Sequence, residues 1–133
     1  MTSTSAWTSQ ELDSIEHAEE LEIASVRRGG ELGSRRTIWV VRVGDGIYVR
    51  SVNGPGSDWY RGTRARQEGR IQAGGVEKAV TIIDAGDEAN DAVDTAYRTK
   101  YGHYAAYIVK AITSPEASST TMRLEPRRPR SAD

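Results

Sequence analysis

Two apolar runs, Thr37–Val43 and Ile47–Val52, flank Gly44-Asp45-Gly46. Asp-Gly between such runs is a strong hairpin signal, because both central residues of a type I′ turn need positive φ. The chain is therefore expected to fold back on itself here as two antiparallel strands. Both runs are apolar on both faces, which places them centrally in a sheet or barrel. The chain then breaks at Asn53-Gly54-Pro55-Gly56 and opens a helix capped near Ser57 or Asp58. A hairpin, a glycine turn, the Trp59-Tyr60 pair and several arginines between Arg35 and Arg70 together suggest a ligand site rather than plain core.

The rest of the chain fills in around that hairpin. Thr8-Ser9-Gln10-Glu11 fits a capping box and starts a helix running to about Ala18, with Leu12 and Ile15 on its apolar stripe. Residues 21–27 alternate with period two and read as a first strand. Asp58–Glu68 reads as a helix ended by Gly69, and Arg70–Ala73 as a short strand stopped by Gly74-Gly75. Val76–Ile83 is another strand, with Val76, Lys78, Val80 and Ile82 on one side. Asp87–Tyr101 is the clearest helix, with acids in its first turn and Arg98 and Lys100 near its end, as the dipole favours. His103–Thr113 reads as a second helix with Tyr107, Ile108 and Ile112 inward, and Thr120–Leu124 as a last strand. Residues 1–7, apart from Trp7 as an anchor, and 127–133 read as disordered. Six strands with helices between them predict a single α+β domain on an antiparallel sheet or barrel.

Composition narrows the function classes. The 133 residues include no Cys and no Phe, so thiol chemistry and cysteine metal sites are excluded, and three Trp and six Tyr carry the aromatic bulk. No run is apolar over transmembrane length and no signal peptide is visible, which points to a soluble cytoplasmic protein. No glycine fingerprint for a dinucleotide and no Walker loop occurs. The net charge of −1 hides an asymmetry: residues 1–26 hold six acids and no base, while residues 27–70 hold ten arginines against four acids. Internal ion pairing explains this as well as an anionic ligand does. Nucleic acid is disfavoured, since the chain as a whole is not basic.

Several residues stand out as site candidates. Ser34, Arg35, Arg36 and Ser51 could hold a phosphate through hydroxyls, guanidinium forks and turn N–H groups. The same residues also read as a solvated turn. Trp39 and Trp59 could stack on a planar ring. Trp39 reads first as core, whereas Trp59 and Tyr60, beside the Gly-Pro-Gly turn, read as pocket residues. Asp94, Tyr97 and Tyr101 share one helix face and could form an acid/base site, although an Asp94–Arg98 pair at i, i+4 is simpler. His103 could transfer protons near neutrality or cap the preceding helix. His17 and His103 lack metal-like spacing, so no metal site is expected. Ser114, Ser118 and Ser119 have no nucleophile elbow around them.

The order of these motifs resembles a known group. An early strand leads to a Gly-rich turn with Ser34-Arg35-Arg36, then the hairpin, then Ser51-Val52-Asn53-Gly54-Pro55. Trp59-Tyr60-Arg61 on a helix and Arg70-Ile71-Gln72-Ala73-Gly74-Gly75 follow. This is similar to the split β-barrel proteins that bind FMN or the deazaflavin coenzyme, especially the deazaflavin-dependent nitroreductase branch. Residues 7–126 also resemble a small bacterial family of unknown function, through Ile38-Trp39-Val40-Val41, Tyr48-Val49-Arg50-Ser51 and Ala96-Tyr97-Arg98-Thr99-Lys100-Tyr101. The resemblance implies an antiparallel split β-barrel with flanking helices, assembled as a homodimer. It implies FMN or deazaflavin held by Ser34, Arg35, Arg36 and Ser51, with Trp59 and Tyr60 near the ring, in a small-molecule oxidoreductase. Two other classes stay open: a cofactor-independent pocket for proton transfer or cyclisation, using Tyr101, His103 and Asp94, and a ligand-binding module without chemistry.

Overall fold

The computed structural model describes residues 7–26, 29 and 31–127. The elements run α1 (Ser9–His17), β1 (Leu21–Ser25), β2 (Arg36–Ile38), β3 (Val41–Val43), β4 (Gly46–Val49), α2 (Asp58–Arg66), β5 (Glu68–Ala73) and β6 (Val76–Asp84). A 3₁₀ turn (Asp87–Ala89) precedes α3 (Asn90–Tyr101), followed by α4 (Ala106–Ile112), α5 (Pro115–Ser118) and β7 (Met122–Pro126). The strands form one antiparallel sheet in the order β2-β1-β5-β6-β7-β4-β3.

That order dictates the shape. β2 and β3 lie at opposite edges of the sheet, yet only Trp39 and Val40 separate them in the chain. Laid flat, six inter-strand spacings would put the edges about 29 Å apart. The three peptide steps from Ile38 to Val41 reach at most about 11 Å. The sheet must therefore curl until its edges nearly meet, which makes it a split β-barrel. The expected strand Thr37–Val43 is thus two strands, and the count rises from six to seven. Both lie at edges rather than centrally, because the apolar faces of this run are covered by two different cores.

The first core fills the barrel: Leu21, Ile23, Val40, Ile47, Val49, Ile71, Val80, Ile82, Met122 and Leu124 point inward. Leu12 and Ile15 of α1 join them, and Trp7 anchors the segment before α1 by donating its indole N–H to the Leu124 carbonyl at 2.9 Å. The second core lies between β3 and the helical layer, where Val41 packs with Val93, Tyr97 and Tyr101 of α3 and Ile112 of α4. Consecutive residues Val40 and Val41 therefore serve opposite faces, as a pleated strand requires.

The Thr8–Glu11 capping box forms on both counts. The Gly44-Asp45 turn has positive φ only at Gly44, the pattern of a type II′ rather than a type I′ turn. α2 stops at Arg66, with Gln67 in the left-handed conformation at φ 61°. Gly69, expected to end that helix, lies inside β5, where a Cβ would sit 2.5 Å from the Ala24 carbonyl oxygen. α3 begins at Asn90 after the 3₁₀ turn, and α4 at Ala106. Tyr107 points outward, 76% exposed, because Ile108 and Ile112 define the inner face at i, i+4 and Tyr107 lies off it. β7 begins at Met122, since the Thr120 and Thr121 amides close the turn of α5, an element not foreseen. Ser114 caps that helix. Arg127 bonds the Ala79 carbonyl through its amide and pairs with Glu68 at 2.7 Å. The expected disorder of residues 1–6 and 128–133, and Arg27 of the first strand, lie outside the described residues.

The β5–β6 turn provides a sharp test. Gly74 and Gly75 both have positive φ, but only at Gly74 would a Cβ also meet a backbone atom, the Ser14 carbonyl oxygen of α1, at 2.2 Å. Gly75→Ala is expected to cost about 1 kcal/mol from backbone conformation alone. Gly74→Ala should cost about 2 kcal/mol more, because α1 must shift. Urea unfolding of the two variants reads the difference, and equal losses would refute the close approach.

Candidate functional site

Where the barrel splits, a cleft of about 400 Å³ opens, within the range of small-molecule sites. One wall comes from β2 and the crossover: Arg36, Thr37, Ile38 and Trp39. The facing wall is Val52 and Asn53 after β4, with Trp59 from the first turn of α2. Ile108 and Ile112 of α4 close one side, Glu20 stands at the margin, and Arg50 lies at the base.

Arg50 follows directly on β4 and is 2% exposed. A buried guanidinium is costly unless every donor is met. Here each of the five is. Nε donates to Thr121 Oγ1 at 2.9 Å. Nη1 donates to Asp94 Oδ1 at 2.5 Å and to the Ile112 carbonyl at 3.1 Å. Nη2 donates to the Asn90 carbonyl and to Asn90 Oδ1, both at 3.3 Å. The guanidinium also lies 5.5 Å from the centroid of the Tyr97 ring. Arg50 thus joins β4, the start of β7, α3 and α4, and its bonding capacity is spent on the protein.

Asp94 accordingly pairs with Arg50, not with Arg98. The Tyr97 hydroxyl, enclosed beside Arg50, has no hydrogen-bond partner of good geometry among the described residues, and burial pushes its phenol well above the ordinary range while the Arg50 charge opposes that rise.

Trp39 is held from behind. Tyr101 stacks on it with centroids 3.8 Å apart and planes 1° from parallel. The Tyr101 hydroxyl accepts from the Val40 amide at 3.1 Å and donates to the Glu19 carbonyl at 2.8 Å. Lys100 Nζ donates to the Val40 carbonyl at 2.8 Å. Burial lowers the Lys100 pKa to about 8, partly offset by Glu19 and Glu16. Burial also raises the Tyr101 phenol above its ordinary value. Tyr104 bonds the Glu19 carboxylate, which fixes the α1–β1 linker against the same cluster.

Of the expected ligand residues, Arg36 and Trp59 meet in the cleft. Arg36 makes no ion pair among the described residues. Arg35 is engaged by Glu22 at 2.8 Å and Gln72 at 3.1 Å, away from it. Ser34 is exposed and does not line the cleft. Ser51 is buried, its hydroxyl holding the Gly54 carbonyl and the Ser57 hydroxyl at 2.9 and 2.8 Å. Tyr60 is buried and borders a separate hollow with Arg64 and Asp84. Tyr101 and Asp94 stand one layer behind the lining, and His103 is exposed with its ring against Tyr104. Sequence reasoning named Arg50 only within a family motif, with no role in the site, and read Trp39 first as core with ring stacking as the alternative. An arginine closing an apolar strand, Ile47–Val49, is the one local signal for the first. Among the described residues no group of His, Asp and Glu could hold a metal, and no helix is long and apolar enough to cross a membrane.

A family model described as an uncharacterized protein conserved in bacteria, DUF2255, matches residues 11–124. The chain belongs to this family. No curated protein sequence matches the DUF2255 chain significantly. Solved structures similar to it include an F420 reductase, at 12% identity and TM-score 0.55, covering 86% of this chain and 90% of the other. The heme storage protein HutZ from Vibrio cholerae aligns at 12% identity and TM-score 0.64, covering 88% and 87%. An FAD-binding protein from Mesorhizobium loti aligns at 14% identity and TM-score 0.56, covering 91% and 89%. These likenesses identify the fold of the DUF2255 chain as a split β-barrel with flanking helices.

Arg50 tests the architecture of the cleft. Arg50→Ala should destabilise the protein by about 3–5 kcal/mol, because Asp94 is left without its partner. Arg50→Lys should recover little, since an ammonium cannot reach five acceptors. The double variant Arg50→Met, Asp94→Leu should be more stable than Arg50→Ala alone. Denaturant midpoints check this order, and a near-neutral Arg50→Ala would show that the network is not structural.

Proposed function

We propose that this protein is a small-molecule oxidoreductase that binds a flavin-type cofactor, FMN or a deazaflavin, in the cleft beside Trp39 and Trp59. The observation that carries the proposal is the union of two indoles with the guanidinium of Arg36, which makes no ion pair among the described residues, in one cavity of suitable size. Fit can be judged from the donors present. Arg36 supplies a bidentate fork for a phosphate or a ring oxygen. The Thr37 hydroxyl and Asn53 amide offer neutral hydrogen bonds, and Ile108 and Ile112 cover apolar ring surface. Similarity of fold to proteins named as an F420 reductase and an FAD-binding protein supports the same reading.

In this reading the cofactor supplies the hydride chemistry and the protein supplies binding and orientation. Tyr101 and Asp94 act at second hand, as positioning residues behind Trp39 and Arg50. Arg50 keeps the base of the cleft rigid. Ser34, Arg35, Ser51, Tyr60 and His103 do not touch the ligand in this arrangement. The working form is a homodimer, with the second copy over Val52, which is 47% exposed at the cleft.

Titration with FMN and with the deazaflavin coenzyme, followed by tryptophan fluorescence, tests binding. Quenching that saturates is expected, and Arg36→Ala should weaken it about tenfold, the worth of one charge-assisted bond. Absence of quenching and of any spectral change with both cofactors would end the flavin reading. Sedimentation velocity is expected to give a dimer that Val52→Lys weakens; a monomer at all concentrations would refute the dimer.

A further inference from the structure

The two indoles of the cleft are not equivalent. Trp39 has one face covered: at 3.8 Å between centroids and 1° between planes, the Tyr101 ring lies almost squarely behind it. Tyr104 also approaches Trp39, at 5.0 Å and 36°, and lies 6.0 Å from Tyr101. Those three separations put Tyr104 at nearly a right angle to the Trp39–Tyr101 axis, beyond the edge of the indole rather than over its second face. Yet Trp39 is only half-buried and lines the cleft. Its second face is the one open to the cavity. Trp59, by contrast, packs partly against the barrel core and has no ring stacked behind it among the described residues.

The Trp39 ring is also fixed in place. The adjoining Val40 peptide groups are held by the Tyr101 hydroxyl and by Lys100. A ring on a backbone so tied loses little freedom when a ligand lands on it. Indole over phenol is an electron-rich pair, whose exposed π-face is negative. It complements a flat ring that is poor in electrons.

We infer that Trp39 is the stacking platform of the cleft, backed by Tyr101, and that the column selects a planar, electron-poor heteroaromatic ring. Trp59 forms a side wall. The inference rests on the flavin reading for its probe and adds two things to it: which indole carries the ring, and which oxidation state is preferred. An oxidised flavin is flat and electron-poor; its reduced form is electron-rich and bends. Oxidised FMN should therefore bind more tightly than reduced FMN.

The test uses oxidised and dithionite-reduced FMN with the wild-type protein and with Trp39→Leu, Trp39→Tyr and Trp59→Leu. Trp39→Leu is expected to lose about tenfold or more in affinity for oxidised FMN, the usual worth of one stacked heterocycle. Trp39→Tyr, which keeps an aromatic face, should stay within about threefold of wild type, and Trp59→Leu, which removes a side wall, should lose less affinity than Trp39→Leu. A long-wavelength shoulder on the bound FMN spectrum, from donor–acceptor stacking, should persist in Trp59→Leu and vanish in Trp39→Leu. If Trp39→Leu does not fold, the wild-type preference decides, with oxidised FMN expected to bind at least about fivefold more tightly than reduced. Unchanged FMN affinity in Trp39→Leu, or equal affinity for the two oxidation states, would overturn the platform while leaving the flavin reading intact. Failure of wild type to bind FMN in either state would overturn the platform, and failure to bind the deazaflavin coenzyme as well would end the flavin reading with it.

Discussion

Two residues, Trp39 and Val40, carry the chain from one edge of the sheet to the other, and a segment with no ladder partner must satisfy its backbone elsewhere. Val40 is fully buried, so its N–H and C=O cannot rely on water. Tyr101 takes the amide and Lys100 the carbonyl, both from the end of α3. The helix is therefore not merely laid on the barrel. It supplies the hydrogen bonds that a missing strand would have made, and the burial of Lys100 beside Val40 is the cost of doing so. The closed curvature, the cleft beside the crossover and the orientation of Trp39 all follow from that substitution of side chains for ladder.

Arg50 has a related part beneath the cleft. The residues after β4 leave the sheet at the base of the cleft, where α3, α4 and the start of β7 converge. A hydrophobic side chain could fill that space but could not bond Asn90, Asp94, Ile112 and Thr121 at once. Burying a charge there gives little net stability and much geometric definition. The second core, built on Val41, Val93, Tyr97 and Tyr101, fills the space between these two polar anchors.

Elements whose determinants are local were legible in the sequence. Both partners of the Thr8–Glu11 box lie within one helical turn, and α3 carries its own charge gradient and apolar face. The run Thr37–Val43 was misread because no glycine or proline marks its break; what splits it is the closure of the whole sheet. Gly69 was misread for a similar reason, since the Ala24 carbonyl that excludes a side chain there belongs to a strand over forty residues away. At the cleft, Arg36 and Trp59 stood out through composition and turn context. Trp39 read first as core and Arg50 was given no role in the site, because the groups that give them meaning, Tyr101 behind one and residues 90–121 around the other, are brought to them only by the fold.

An antiparallel sheet of seven strands ordinarily offers two long edges to which a strand from another molecule can add. Here the two edge strands are three residues each, and the chain itself joins them. Arg36 on one and Arg42 on the other add charge, and Arg42 is held by Asp13 and Glu16 of α1. Little ladder remains for a neighbour to extend. Copies of this protein can associate through side chains on the barrel and helix faces far more readily than through their backbones, which turns the tight crossover into a safeguard against sheet-to-sheet aggregation.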